Sequence, residues 1–70
     1  MNKKINGTIK WYNKIKKEGY IIGIDEEKYY FDLLSQEDIN EIFESNDEVL
    51  FIPIFENEIP YAEKVEKIKN

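Results

Sequence analysis

The clearest structural information in this chain lies in two neighbouring stretches, Gly7-Thr8-Ile9-Lys10-Trp11-Tyr12-Asn13 and Gly19-Tyr20-Ile21-Ile22. The first alternates apolar and polar residues, and the second is rich in β-branched and aromatic residues, so both are predicted to be β-strands. A charged, lysine-rich turn connects them. Aromatic residues beside lysines on adjacent strands favour a ligand that is both flat and anionic, since bases stack on aromatic rings while lysines contact phosphates.

The remaining sequence predicts three further strands. The predicted strands are 5–12, 19–24, 29–33, 49–55 and 61–68, with a hairpin loop at 25–28 and a turn at 56–58. Pro53 cannot donate a hydrogen bond to a ladder, so the fourth strand is expected to be an edge or to be bulged there. We therefore predict an all-β fold, a small five-stranded antiparallel OB-type barrel formed by a single domain, residues 1–70.

A short helical turn is predicted between the third and fourth strands. Ser35-Gln36-Glu37-Asp38 matches a capping box, in which a side-chain oxygen caps the helix and an acidic residue follows three positions later. Ile39, Ile42 and Phe43 then follow at helical spacing.

The composition argues against several functional classes. The chain contains no cysteine and no histidine, so disulfides, thiolate metal sites and the commonest general bases are excluded. Ser35 is explained as a helix cap, and there is no glycine-rich phosphate loop. We expect neither an enzyme nor a cofactor or metal site. The polar start of the chain lacks the apolar run of a signal peptide, and no stretch approaches the length of a membrane span, so a cytoplasmic protein without membrane contact is expected. A monomer is expected as well.

Charge is distributed unevenly along the chain. The formal net charge is −5, yet residues 1–17 contain six lysines and no acidic residue, whereas residues 18–70 contain four lysines and fifteen acidic residues. A polyanion responds to the local patch rather than to the net charge, so a basic binding face remains compatible with an acidic protein. Few lysines can reach phosphates at once, which predicts modest and salt-sensitive affinity.

The two opening stretches resemble the bacterial cold-shock domain. That family begins with Gly-x-Val-Lys-Trp-Phe-Asn, which is nearly intact here at residues 7–13, and the Lys-Trp-aromatic-Asn run is fairly specific. Residues 49–65 also align without a gap, retaining Phe51 and the Pro60-x-Ala62 spacing. The similarity covers most of residues 5–66 and implies a cold-shock-like OB domain that binds single-stranded RNA or DNA, as an RNA chaperone or regulator.

The candidate site residues fall into three groups. Alternation from Ile9 places Trp11 on the inner face unless a bulge intervenes, and Gly7 offers a position for one; the resemblance implies an exposed Trp11. Tyr29 and Tyr61 are expected to pack or to lie at the rim, and Tyr12 is left unassigned. The predicted base-stacking residues are Trp11, Tyr20 and Tyr30, the predicted phosphate-binding residues are Lys10, Lys14, Lys16 and Lys17, and apolar contact is expected from Ile22 and Leu33.

Departures from the family pattern motivate alternative functions. Where the family has a histidine in its third strand this chain has Asp32, whose carboxylate repels phosphate. Together with Ile21, Ile22 and Leu33, Asp32 suggests a divergent OB domain that binds a protein partner instead, with reduced or no nucleic-acid binding. A third hypothesis is an OB domain that binds structured ribosomal RNA. Steep salt dependence distinguishes nucleic-acid binding from aliphatic docking.

Overall fold

A computed structural model describes residues 3–33, 42–56 and 58–68 as a closed five-stranded barrel. The strands are β1 (Ile5–Asn13), β2 (Glu18–Gly23), β3 (Lys28–Asp32), β4 (Glu48–Ile54) and β5 (Tyr61–Lys67). Their spatial order is β1-β2-β3-β5-β4, and β4 pairs back onto β1 to close the barrel. All pairings are antiparallel except β3 with β5, which is parallel. The prediction of an all-β, OB-type barrel is confirmed.

The barrel is filled by inward-facing side chains that alternate with exposed ones. In β3, Tyr29 and Phe31 are buried while Lys28 and Tyr30 are exposed, as a strand with one face on the core requires. The hydrophobic core consists of Ile9, Ile21, Tyr29, Phe31, Leu33, Phe43, Val49, Phe51, Ala62 and Val65. The packing role expected for Tyr29 is therefore confirmed.

The capping box of the predicted helical turn, residues 35–38, and Ile39 lie outside the described residues. Ile42, Phe43 and Glu44, which follow, have no regular secondary structure. Phe43 is nevertheless fully buried and contacts Phe31 edge-to-face at a centroid distance of 6.0 Å. Phe43 is thus part of the hydrophobic core.

A β-bulge in β1 sets the direction of Trp11. Ile9 pairs with Ile21 and Trp11 pairs with Tyr20, so Lys10 and Trp11 together oppose a single residue of β2. Gly7, which the sequence offered as the bulge, instead pairs regularly with Gly23 and Val49. The bulge is three residues later, and it turns Trp11 outward despite the alternation that begins at Ile9.

Gly19 permits the bulge because it has no side chain. A Cβ atom placed on Gly19 would lie 2.2 Å from the carbonyl oxygen of Trp11 and 2.9 Å from Cα of Tyr12. Both are backbone atoms, so they cannot move aside as a flexible side chain could. Residue 19 must therefore be glycine for the backbone of β1 to pass so close to it.

The fourth strand is irregular, as Pro53 suggested. Its pairing with β1 involves only Glu48–Phe51, so at Pro53 the strand is paired with β5 alone. The register with β5 also shifts between Leu50 and Ile52, and both Phe51 and Ile52 are buried. Pro53, which has no N–H group to donate, thus lies where β4 is no longer paired with β1.

The β2–β3 hairpin is closed by a buried tyrosine. The Tyr29 hydroxyl donates a hydrogen bond of 2.5 Å to Oδ2 of Asp25, whose Oδ1 accepts the Glu27 amide at 3.1 Å. Burial first, and then the adjacent carboxylate, raises the pKa of Tyr29 above its ordinary value of 10.0. The acidic loop is therefore held to the barrel by one core residue.

We predict that Gly19→Ala lowers the free energy of unfolding by about 1–3 kcal/mol, because the added methyl group overlaps backbone atoms. Urea unfolding followed by circular dichroism measures the free energy of unfolding. Asn6→Ala, an exposed strand position, is the control and is expected to change it by less than about 0.5 kcal/mol. Wild-type stability in Gly19→Ala would contradict the close approach of the two strands.

We also predict that stability falls as the pH rises above about 10. The folded state keeps Tyr29 protonated above the pH at which an unfolded tyrosine ionises, so the unfolded state binds fewer protons there and becomes more stable relative to the folded state as the pH rises. Urea unfolding of wild type and Tyr29→Phe between pH 8 and about 11 tests this. The variant is expected to lose less stability over that range, and parallel pH profiles would contradict the assignment.

Candidate nucleic-acid interface

Three aromatic side chains form a row across the outer face of β1, β2 and β3. Trp11, Tyr20 and Tyr30 are cross-strand neighbours, and we call them the aromatic row. The ring centroids of Trp11 and Tyr20 are 6.4 Å apart with an interplanar angle of 29°, and those of Tyr20 and Tyr30 are 6.2 Å apart. Trp11 is 45% exposed and Tyr30 42% exposed. All three predicted stacking residues are thus brought together on one accessible surface.

The row is made contiguous by strand register. The bulge turns Trp11 outward beside Tyr20, and the regular β2–β3 ladder places Tyr30 directly opposite Tyr20. Tyr30 also pairs with Tyr61 of β5, which is partly buried, and its amide donates to the carbonyl of Pro60 at 3.0 Å. Beyond the row, Tyr30, Glu58, Ile59 and Tyr61 line an open cleft of about 560 Å³. Tyr61 therefore borders the row, as expected of a rim residue.

Tyr12 belongs to the core side of the barrel rather than to the row. Its ring stacks on Phe31 at 5.7 Å, nearly parallel, and meets Phe43 edge-on at 5.9 Å. Burial raises the pKa of Tyr12. Trp11 and Tyr12 therefore point to opposite sides of β1 although they are adjacent in sequence.

The two aliphatic residues expected to contact bases have different environments. Ile22 is partly exposed on the outer face of β2, between Thr8 and Lys28 in the register. Leu33 is only 9% exposed and belongs to the core, so its expected place on the binding face is corrected. The reason is position: β3 ends at Asp32, and the Leu33 amide donates to the carbonyl of Lys17 at 2.9 Å, which directs the side chain inward.

Lysines flank the aromatic row in a way that the sequence did not reveal. Lys28 was assigned to the hairpin loop, but it begins β3, and its Nζ lies 4.2 Å from the Tyr20 ring centroid and 5.4 Å from that of Tyr30. Both distances are within the range of cation–π attraction. Applying period-two alternation backwards from Tyr30 would have placed Lys28 on the same face.

The four predicted phosphate-binding lysines do not form a single patch. Lys10 is exposed in the bulge and lines a cleft of about 300 Å³ with Thr8 and Ile22, on the same side of the row as Lys28. Lys14, Lys16 and Lys17 are exposed in the β1–β2 turn, beyond the other side of the row. That turn is ordered by Oδ1 of Asn13, which accepts the amides of Ile15 at 2.9 Å and Lys16 at 3.0 Å.

Two carboxylates lie between the aromatic row and the turn lysines. Glu18 pairs with Asp32 in the β2–β3 ladder, one alternation beyond Tyr20 and Tyr30. Glu18 is exposed and Asp32 partly exposed. The outer face thus carries lysines on one side of the row and carboxylates on the other. Lys28, Glu18 and Asp32 each lie two residues, about 7 Å of strand, from a tyrosine of the row.

Other kinds of site find no support in the described part of the chain. Across residues 3–33, 42–56 and 58–68 there is no group of three carboxylates placed to hold a metal ion. Within the same residues, no helix has the length and apolar character needed to cross a membrane. In comparisons with known proteins, no family model matches the chain and no curated protein matches it.

We predict that Leu33→Ala lowers the free energy of unfolding by about 2–5 kcal/mol, as expected for truncation of a buried leucine. Ile22→Ala, the matched aliphatic change on the exposed face, is expected to cost less than half as much, because its cavity opens to solvent. Urea unfolding of both variants provides the measurement. Equal losses would contradict the assignment of Leu33 to the core and Ile22 to the face.

Proposed function

We propose that this protein binds single-stranded nucleic acid, RNA or DNA, across the outer face of β1–β3. The observation that carries the proposal is the contiguous aromatic row of Trp11, Tyr20 and Tyr30 with lysines beside it. Trp11 and Tyr30 are each more than 40% exposed, and Tyr20 between them is partly exposed. Stacking of a base on an aromatic ring contributes about 1–3 kcal/mol and tolerates any sequence, since every base has a π face.

Lysines recognise the anionic part of the ligand, its phosphates. The chain has no arginine, so no guanidinium can bind a phosphate through two parallel hydrogen bonds or stack on a base. Each phosphate contact is therefore made by a single lysine ammonium group. Lys10 and Lys28 lie beside the row, while Lys14, Lys16 and Lys17 lie in the adjoining turn. A few such contacts, opposed by Glu18 and Asp32, give modest affinity that falls with added salt.

The proposed role is to keep RNA unpaired, as a chaperone or a regulator of translation or transcription, in a cytoplasmic setting. Stacking of bases on the protein competes with intramolecular base pairing, so the role needs neither a cofactor nor nucleotide hydrolysis. The similarity of residues 7–13 to the cold-shock opening supports the same proposal, and the chain would be a divergent member of that family.

The alternative of an aliphatic protein-docking face has less support. It rests on Asp32, which is partly exposed, and on three aliphatic residues, Ile21, Ile22 and Leu33, but Ile21 is 0% exposed and Leu33 lies in the core. Of these three, Ile22 alone contributes to the outer face, beside exposed aromatics and lysines. That surface is better suited to a flat anionic ligand.

Titration of the protein with short oligothymidine, and then oligouridine, is expected to quench Trp11 fluorescence saturably, and the quenching is expected to weaken with salt. Tyr20→Ala and Tyr30→Ala are each expected to cost about 1–3 kcal/mol of binding free energy through loss of a stacking ring. Phe55→Ala is the control, because Phe55 is exposed but packs against Tyr29 rather than in the row. Unchanged emission from the folded protein at low and moderate salt would exclude the proposed function.

A further inference from the structure

The position of Lys28 carries an inference about how a bound strand is oriented. Its ammonium group lies over the rings of both Tyr20 and Tyr30, at 4.2 and 5.4 Å from their centroids. An ammonium at this height occupies the surface on which a base would stack. Stacking on Tyr20 therefore requires Lys28 to move, and its four-carbon stem allows the amine to swing outward without leaving the strand.

The surroundings of Lys28 define one side of the aromatic row. Lys28 pairs with Ile22, which in turn pairs with Thr8, and Thr8, Ile22 and Lys10 line the shallow cleft on that side. Glu48 also lines this cleft, opposite Thr8 in the β1–β4 register. This side of the row therefore carries two exposed lysines, Lys10 and Lys28, and one carboxylate.

The opposite side is unfavourable for phosphates. Glu18 and Asp32 stand there as register partners, between the row and the turn that carries Lys14, Lys16 and Lys17. A phosphate placed beside Tyr20 on that side would meet carboxylates before it met the turn lysines. Like charges at such distances repel, most strongly where water is partly excluded.

We propose that the sugar–phosphate backbone of a bound single strand lies on the Lys10–Lys28 side of the aromatic row, with Lys28 leaving Tyr20 and Tyr30 to bind a phosphate as bases take its place. This inference rests on the proposed function and deepens it. Lys28 then has two roles: in the free protein it covers the stacking surface, and in the complex it neutralises a phosphate.

The two roles predict opposite effects at low and high salt. The affinity for a single strand falls with salt, and the slope of log K against log salt becomes shallower by about 0.7 for each phosphate contact removed. Lys28→Met keeps the length of the apolar stem and removes the charge, so its slope is expected to be shallower by about 0.7. Over a fourfold rise in salt, wild type then loses about 2.6-fold more affinity than the variant.

The test is quenching of Trp11 by short oligothymidine over a series of potassium chloride concentrations, with folding checked by circular dichroism. Lys28→Met is expected to bind more weakly than wild type at low salt and equally or more tightly at high salt, where its uncovered rings dominate. Lys10→Met is expected to flatten the slope as well. Lys28→Arg should restore the wild-type slope, and Lys28→Gln provides a second neutral variant if Lys28→Met does not fold.

The turn lysines are the matched control, since they carry the same charge on the other side of the row. The double change Lys14→Met and Lys16→Met is expected to change the slope less than Lys28→Met alone. A wild-type slope in both neutral variants of Lys28, or a larger change in the turn variant, would overturn the inference while leaving the proposed function intact. Absence of quenching in wild type would overturn both.

Discussion

The close approach of the β1 backbone to Gly19 is the contact on which the outer face depends. The bulge at Lys10 and Trp11 puts the Trp11 carbonyl where a side chain of residue 19 would otherwise be. With regular alternation Trp11 would face the core with Ile9, and the three-ring row would lose its first member. A glycine without a positive φ angle is therefore as important to the surface as the aromatic residues themselves.

Much of the fold was predictable because the barrel strands obey a period of two. Ile9, Ile21, Tyr29 and Phe31 alternate with polar or exposed neighbours, and Pro53 marks the point where β4 loses β1 as a partner. The location of the bulge was not predictable from glycine content. Gly7 is required for packing against Ile21 and Phe51, whereas the bulge lies opposite Tyr20, which follows Gly19 in β2.

The candidate site was predictable only in part. Stacking positions follow from strand register, and Trp11, Tyr20 and Tyr30 all fall on one face. Lys28 and Leu33 both follow the alternation of β3: Lys28, two residues before Tyr30, shares its outer face, whereas Leu33, two residues after the buried Phe31, lies on the core side, so strict alternation predicts both positions. Lysines that are clustered in the sequence are also not clustered in space: Lys4 forms an ion pair with Glu66 of β5, at 3.1 Å, whereas Lys14, Lys16 and Lys17 lie in the β1–β2 turn.

Tyr30 lies at the junction where the chain closes on itself. The pairing of Tyr30 with Tyr61, and the hydrogen bond from its amide to Pro60, join the meander β1–β3 to the last strand across about half the length of the sequence. A contact between residues so distant in sequence must offset the entropy of closing the long loop between them. Trp11 and Tyr20 lie on strands that pair with their neighbours in sequence, whereas Tyr30 also joins this long-range pairing, so the surface proposed for base stacking is complete only when β5 is in place.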